Sequence, residues 1–181
     1  MIRSSFFTSL FFISLAFIVG PALAGEGHCE PGVGEERANT PAGAFEFLRD
    51  GTVIHSDTNL QWAQCAIGQD WGPDSCTGIA DVFTWDDAKA AVEAFNRNGG
   101  VGGYTDWRLP TVDELETIAE HCREAPAINT TIFPDTPWAG FWSSSDGNDN
   151  AEHAWFVGFY YGLSFEYSRS ASYRVRPVRS R

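Results

Sequence analysis

The chain has 181 residues and a formal net charge of −12, with 12 Lys and Arg against 24 Asp and Glu, which leaves room for one domain. The length argues against a multidomain enzyme. The acidic balance argues against a nucleic-acid binder, which would turn a basic face to phosphates.

Residues 1–24 read as a secretory signal. Arg3 supplies the positive start, Phe6 to Val19 is apolar, and Ala22-Leu23-Ala24 is a small-residue cleavage pattern. An uncleaved membrane anchor is the alternative, since the segment is close to the lower limit for a spanning helix. No window after residue 24 is apolar enough to span a bilayer. The expected product is secreted or periplasmic, with no membrane span after signal cleavage.

Residues 25–44 form an acidic lead-in, expected to be loosely ordered and tied down at Cys29. Residues 45–181 are the folded domain. It opens as a meander of short strands, Phe45 to Leu48, Thr52 to His55 and Leu60 to Trp62, separated by turns at Arg49-Asp50-Gly51 and Ser56-Asp57-Thr58-Asn59. A Gly/Asp/Pro loop fills residues 65 to 83.

Four cysteines, Cys29, Cys65, Cys76 and Cys122, imply two disulfides in an exported chain. Zinc is the rival, but the sequence has no C-x-x-C spacing and the histidines are scattered. Cys65 and Cys76 flank a short loop whose ends can meet, so they are expected to pair, leaving Cys29 with Cys122. No cofactor and no transition metal are expected.

Thr84 and Asp87 start a helix with the stripe Ala88, Ala91, Val92 and Phe95, stopped at Asn98-Gly99-Gly100. The run Gly99 to Gly103 reads as a flexible turn rather than a phosphate-cradling loop, because it follows a helix instead of preceding one. Thr111 and Glu114 make a second capping box, and Leu115, Ile118, Ala119 and Cys122 carry that helix to about residue 122. From Arg123 to Phe141 the chain has three prolines and no sustained period, which predicts a long ordered loop.

From Trp142 the period is two. Trp155, Val157 and Phe159, then Leu163, Phe165 and Tyr167, then Tyr173, Val175 and Val178 predict an antiparallel meander whose apolar residues form core stripes. Strands, two helices, then strands make the fold class α+β and exclude a parallel nucleotide-binding sheet. The segment Arg169 to Arg181 has five arginines and no acid, which reads as internal pairing ahead of a polyanion site.

Catalytic equipment is not recognisable. His28, His55, His121 and His153 lie in different segments without a nucleophile motif, and the acidic pairs at Asp86-Asp87 and Asp113-Glu114 suit first helical turns. Two candidate ligand sets remain. Asp146, Asn148 and Asn150, with Glu152 next, space oxygen ligands as a calcium loop would, or form a polar hairpin tip. Trp138, Trp142, Tyr160 and Tyr161 offer aromatic faces that stack on sugars or peptides. The ligand contacts are expected on residues 134 to 150 and at the tip near Tyr160 and Tyr161, with Trp138 the stacking face.

The segment Gly103-Tyr104-Thr105-Asp106-Trp107-Arg108-Leu109-Pro110-Thr111-Val112-Asp113-Glu114-Leu115 resembles the Lcl C-terminal domain family. So do Asp57 to Trp62, Pro126 to Pro134, Phe141 to Ser145, Ala154 to Val157 and Val175 to Arg179, over about residues 45 to 180. The resemblance implies a C-type-lectin-like fold in which first and last strands pair and two helices flank antiparallel sheets with long ordered loops. It implies adhesion or ligand binding, as at the tip of a bacterial collagen-like adhesin that binds sulfated glycans. The acidic body departs from a polyanion binder, so a neutral glycan or a protein partner is expected first, and an oligomer is possible. A structural subunit of a surface or envelope assembly is the alternative. The fold is also similar to formylglycine-generating enzymes, but the late cysteines they need are missing, since none follows Cys122. Arg108 is expected to anchor its helix by charge-assisted bonds.

Overall fold

The computed structural model describes residues 38–181 of the chain; the expected signal, most of the lead-in and Cys29 lie outside them. The opening meander folds as expected. Strands β1 (Phe45–Phe47), β2 (Thr52–His55) and β3 (Leu60–Ala63) pair antiparallel through tight turns, and β9 (Val178–Ser180) joins β3. The last strand therefore lies against β3 and not against the first strand, with Val178 also bonded to Arg108. The left-handed backbone at Gly51 suits a glycine, since a Cβ there would lie 2.9 Å from Trp71 and Val101.

The loop 65–83 contains an element the sequence did not disclose. Strands β4 (Gln69–Trp71) and β5 (Cys76–Gly78) form a small hairpin, closed by a Cys65–Cys76 disulfide. No described cysteine is free, and the expected partner of Cys122 lies outside the described residues. The hairpin is fastened to the long loop: Cys76 N–H donates to Asp135 Oδ2 at 3.1 Å, and Gln69 Nε2 to the Asp135 carbonyl at 3.1 Å.

Helix α1 (Trp85–Arg97) begins at the Thr84 cap and buries Trp85, Ala88 and Val92, so the predicted stripe faces the core. Part of the glycine run after it is closely packed: a Cβ on Gly100 would lie 1.9 Å from the Tyr104 carbonyl oxygen, whereas Gly99 and Gly103 have open space around them. Helix α2 (Val112–Glu116) has the complete capping box on Thr111 and Glu114 but stops well short of Cys122. The chain tightens at Ala119, whose N–H reaches Glu116, and then bridges Ile128, while Glu120 N–H donates to Ala127. That turn buries the Glu120 carboxylate, which accepts both backbone N–H groups of Asn39 and Thr40 and the Thr40 hydroxyl. The end of the lead-in is thus docked, and a helix continued to Cys122 would forfeit these bonds.

Strands β6 (Gly140–Asp146), β7 (His153–Gly158) and β8 (Leu163–Ser168) form the third antiparallel sheet. Together the described residues give an α+β fold of two helices and three antiparallel sheets. One core cluster joins Val53, Trp62, Leu115, Ile128, Phe133, Phe141, Val157 and Phe159, and the other joins Trp85, Val92, Trp107, Trp142 and Val175. No described helix is long and apolar enough to cross a membrane.

Three of the five arginines of the last segment pair with acids, whereas the Arg174 Nε is buried without a hydrogen-bond partner among the described residues. Arg169 contacts Asp146, Arg179 contacts Asp106 at 2.7 Å, and Arg181 lies 3.8 Å from Glu46. Arg176 is fully buried, donating to the Ala63 and Gln64 carbonyls and to Thr136 Oγ1.

Candidate functional site

The stretch 134–150, expected to carry ligand contacts, contains strand β6, and this strand divides the candidate residues into two groups. Trp138 precedes it, and Asp146 ends it. A bulge between Trp142 and Asp146 shortens the strand, which still keeps them at opposite ends of the sheet. Tyr160 and Tyr161 lie in the β7–β8 turn at the Trp138 end, whereas Asn148 and Asn150 lie in the β6–β7 turn at the other. The six residues therefore do not form one site.

At the first end three exposed rings converge from two segments. Trp138 and Tyr160 have ring centroids 5.4 Å apart at an interplanar angle of 30°, and Tyr160 and Tyr161 meet edge to face at 4.3 Å. Trp138 is 60% exposed and Tyr161 54%, so the faces are open although the rings touch.

Local backbone bonds explain the convergence. Phe159 N–H donates to the Ala139 carbonyl at 2.9 Å, clamping the residue after Trp138 to the residue before Tyr160. Phe159 is fully buried against Phe141, with centroids 5.1 Å apart. The turn closes through Tyr161 and Gly162 N–H groups on the Gly158 carbonyl, with Gly162 at φ 73°. Ala125 N–H on the Tyr160 carbonyl and Ala127 N–H on the Phe159 carbonyl attach the long loop beside it. The platform is carried on a rigid sheet end rather than a free loop.

Neighbouring Tyr160, together with the Glu124 carboxylate, raises the pKa of the Tyr161 phenol. The hydroxyl is therefore a neutral hydrogen-bond donor and acceptor at neutral pH. This combination of open ring faces and phenolic hydroxyls can stack on the C–H face of a sugar and bond its hydroxyls.

The polar end is partly engaged in internal hydrogen bonds. Arg169 Nη2 donates to Asp146 Oδ1, Asn150 Oδ1 accepts Glu152 N–H at 2.9 Å, and Asn148 N–H donates to Glu166 at 3.1 Å. Side-chain oxygens of Asp146 and Asn150 are thus used in closing a hairpin. Trp142, the fourth ring of the candidate set, is fully buried with its indole N–H on the Phe83 carbonyl, and belongs to the core.

A groove of about 510 Å³ between α1 and residues 107–111 is lined by Val92, Trp107 and Leu109 together with polar side chains engaged elsewhere. Asn96 bonds Trp107 both ways, Arg108 holds Glu114, and Lys89 faces Asp86. It is a packing groove.

Strand β8 departs from the sequence reading. Leu163, Phe165 and Tyr167 alternate as expected but are 50%, 47% and 55% exposed. Phe165 and Tyr167 extend a layer of rings over Phe156 and Tyr173, which stack at 4.2 Å. Strand alternation identifies a common face and is silent on whether anything covers it.

A family model described as the Lcl C-terminal domain matches residues 51–179. No curated protein matches the chain.

Proposed function

Because the chain belongs to the Lcl C-terminal domain family over residues 51–179, we propose that it works as an exported, non-catalytic module that binds neutral glycans on Trp138, Tyr160 and Tyr161. The observation that carries this reading is the meeting of three exposed rings from two segments on one rigid sheet end. Stacking suits sugars, whose axial C–H groups present apolar faces between polar rims. The net charge of −12 repels sulfated or phosphorylated chains at long range and leaves neutral ones unaffected.

The engagement of reactive side chains supports a non-catalytic role. His55 is buried against Phe45 with Nδ1 2.9 Å from Thr58 Oγ1, Ser143 donates to the Trp155 carbonyl, and the Glu120 carboxylate holds Thr40. The Cys65–Cys76 disulfide suits an oxidising compartment outside the cytoplasm.

The test is binding of the full chain to immobilised neutral oligosaccharides, compared with Tyr161→Ala. Loss of one stacking ring costs about 1 kcal/mol, several-fold in affinity. A Tyr161→Ala chain that folds and binds every such oligosaccharide as tightly as the wild type would oppose this reading.

A further inference from the structure

Strand β8 is the outer strand of its sheet. Among the described residues, no backbone group of residues 163–167 hydrogen-bonds outside that sheet. An open edge with its N–H and C=O groups unpaired is a template for another strand. Edges are commonly blunted by proline or lysine, and Leu163-Ser164-Phe165-Glu166-Tyr167-Ser168 has neither.

The two faces flanking the edge differ in chemistry. On one, Leu163, Phe165 and Tyr167 are exposed and continue into Phe156 and Tyr173. On the other, Ser164 donates to the Glu116 carboxylate and Glu166 accepts the Asn148 N–H. Neither Glu116 nor Glu166 has an ion-pair partner among the described residues.

We propose that the outer edge of β8 docks an extended, basic segment of a partner polypeptide in which apolar residues alternate with Lys or Arg. Such a segment adds to the sheet through main-chain bonds. Its apolar side chains cover Leu163, Phe165 and Tyr167, and its cations meet Glu116 and Glu166. Charge complementarity selects this occupant over a second copy of the chain. Antiparallel β8 to β8 pairing would gather the Glu116 and Glu166 carboxylates of both copies on one face, between molecules each carrying −12.

The probe is a synthetic peptide alternating lysine with valine and phenylalanine, titrated into the isotopically labelled full chain. The expected result is amide shifts and slowed hydrogen exchange confined to residues 163–168 and their neighbours, with affinity that falls with salt. Glu116→Lys should weaken that peptide about tenfold and favour its glutamate counterpart. Glu166→Lys should do the same, and melting curves establish that each variant is folded. If Glu166→Lys does not fold, exposed Glu116 carries the test alone. Trp138→Ala should leave peptide binding unchanged, which separates this site from the glycan platform. Shifts centred elsewhere, equal binding of the glutamate peptide by the wild type, or a concentration-dependent dimer that protects the β8 amides without peptide would each overturn the proposal.

Discussion

Glu114 grips the Arg108 guanidinium through two bonds of 2.7 Å and with the same carboxylate accepts the Thr111 backbone N–H at 2.8 Å. One side chain thus joins the Trp107–Pro110 segment to the first turn of α2. Burial alone would raise the Glu114 carboxyl, but the Arg108 and Thr111 bonds together hold it below its ordinary 4.5. Its contribution to stability is present above that value and is lost as pH falls through the lower folded value. Glu114→Ala should cost roughly 1 kcal/mol through the lost cap, with the half-exposed ion pair adding little. Glu114→Gln keeps the capping geometry and should cost less while flattening the acid limb. Urea denaturation as a function of pH checks both, and equal losses in the two variants would contradict the capping role.

His55 gives the chain a second, separate pH dependence. Burial lowers its pKa from the ordinary 6.5, against the opposing pull of Asp57. The unfolded chain takes up a proton near 6.5 that the folded chain takes up only at lower pH. The associated stability is therefore present above pH 6.5 and is lost as pH falls from there toward the folded value. Stability of the wild type should decline on acidification below 6.5, before carboxylates titrate, and His55→Phe should remove that limb. A wild-type profile flat through this range would contradict the assignment.

Arg176 is a buried cation supported by carbonyls and rings instead of a carboxylate. It donates to Ala63 and Gln64 carbonyls and to Thr136, with its guanidinium 4.7 Å from the Phe133 ring centroid. Burial pulls its pKa down to about 9, so it stays charged at neutral pH. Arg176→Met would leave two carbonyls without their donor and should destabilise by roughly 3 kcal/mol. Chemical denaturation showing an unchanged midpoint would refute this.

The Cys65–Cys76 bridge closes the β4–β5 hairpin against Asp135. Replacing both with alanine should cost about 3 kcal/mol in the chain-entropy account of a short loop. Peptide mapping of unreduced protein should recover Cys65 with Cys76 and Cys29 with Cys122. Recovery of Cys29 joined to Cys65 would contradict both pairings.

Much of this fold is legible locally. The β2 and β3 ranges, the Thr84 start of α1 and the Thr111 capping box follow from turn residues and periodicity, which are properties of neighbouring residues. The end of α2 is not local, because it depends on Glu120 reaching Asn39 and Thr40 some 80 residues away in sequence. The β4–β5 hairpin is too short for its period to stand out from a Gly/Asp/Pro loop. At the site, ring chemistry singled out Trp138, Tyr160 and Tyr161, but their meeting depends on the Ala139 to Phe159 backbone bond. The separation of Asp146 from them follows from β6 running from Gly140 to Asp146, across the boundary that proline spacing set at Phe141. Exposure of Phe165 and Tyr167 is a property of the assembled sheet and has no signature in alternation.

The most direct test of the glycan reading is a glycan array probed in parallel with the full wild-type chain and Trp138→Ala, at low and high salt. The account predicts binding to neutral glycans that changes little with salt and falls about tenfold in Trp138→Ala. Binding confined to sulfated chains, weakening steeply with salt and untouched by Trp138→Ala, would contradict it.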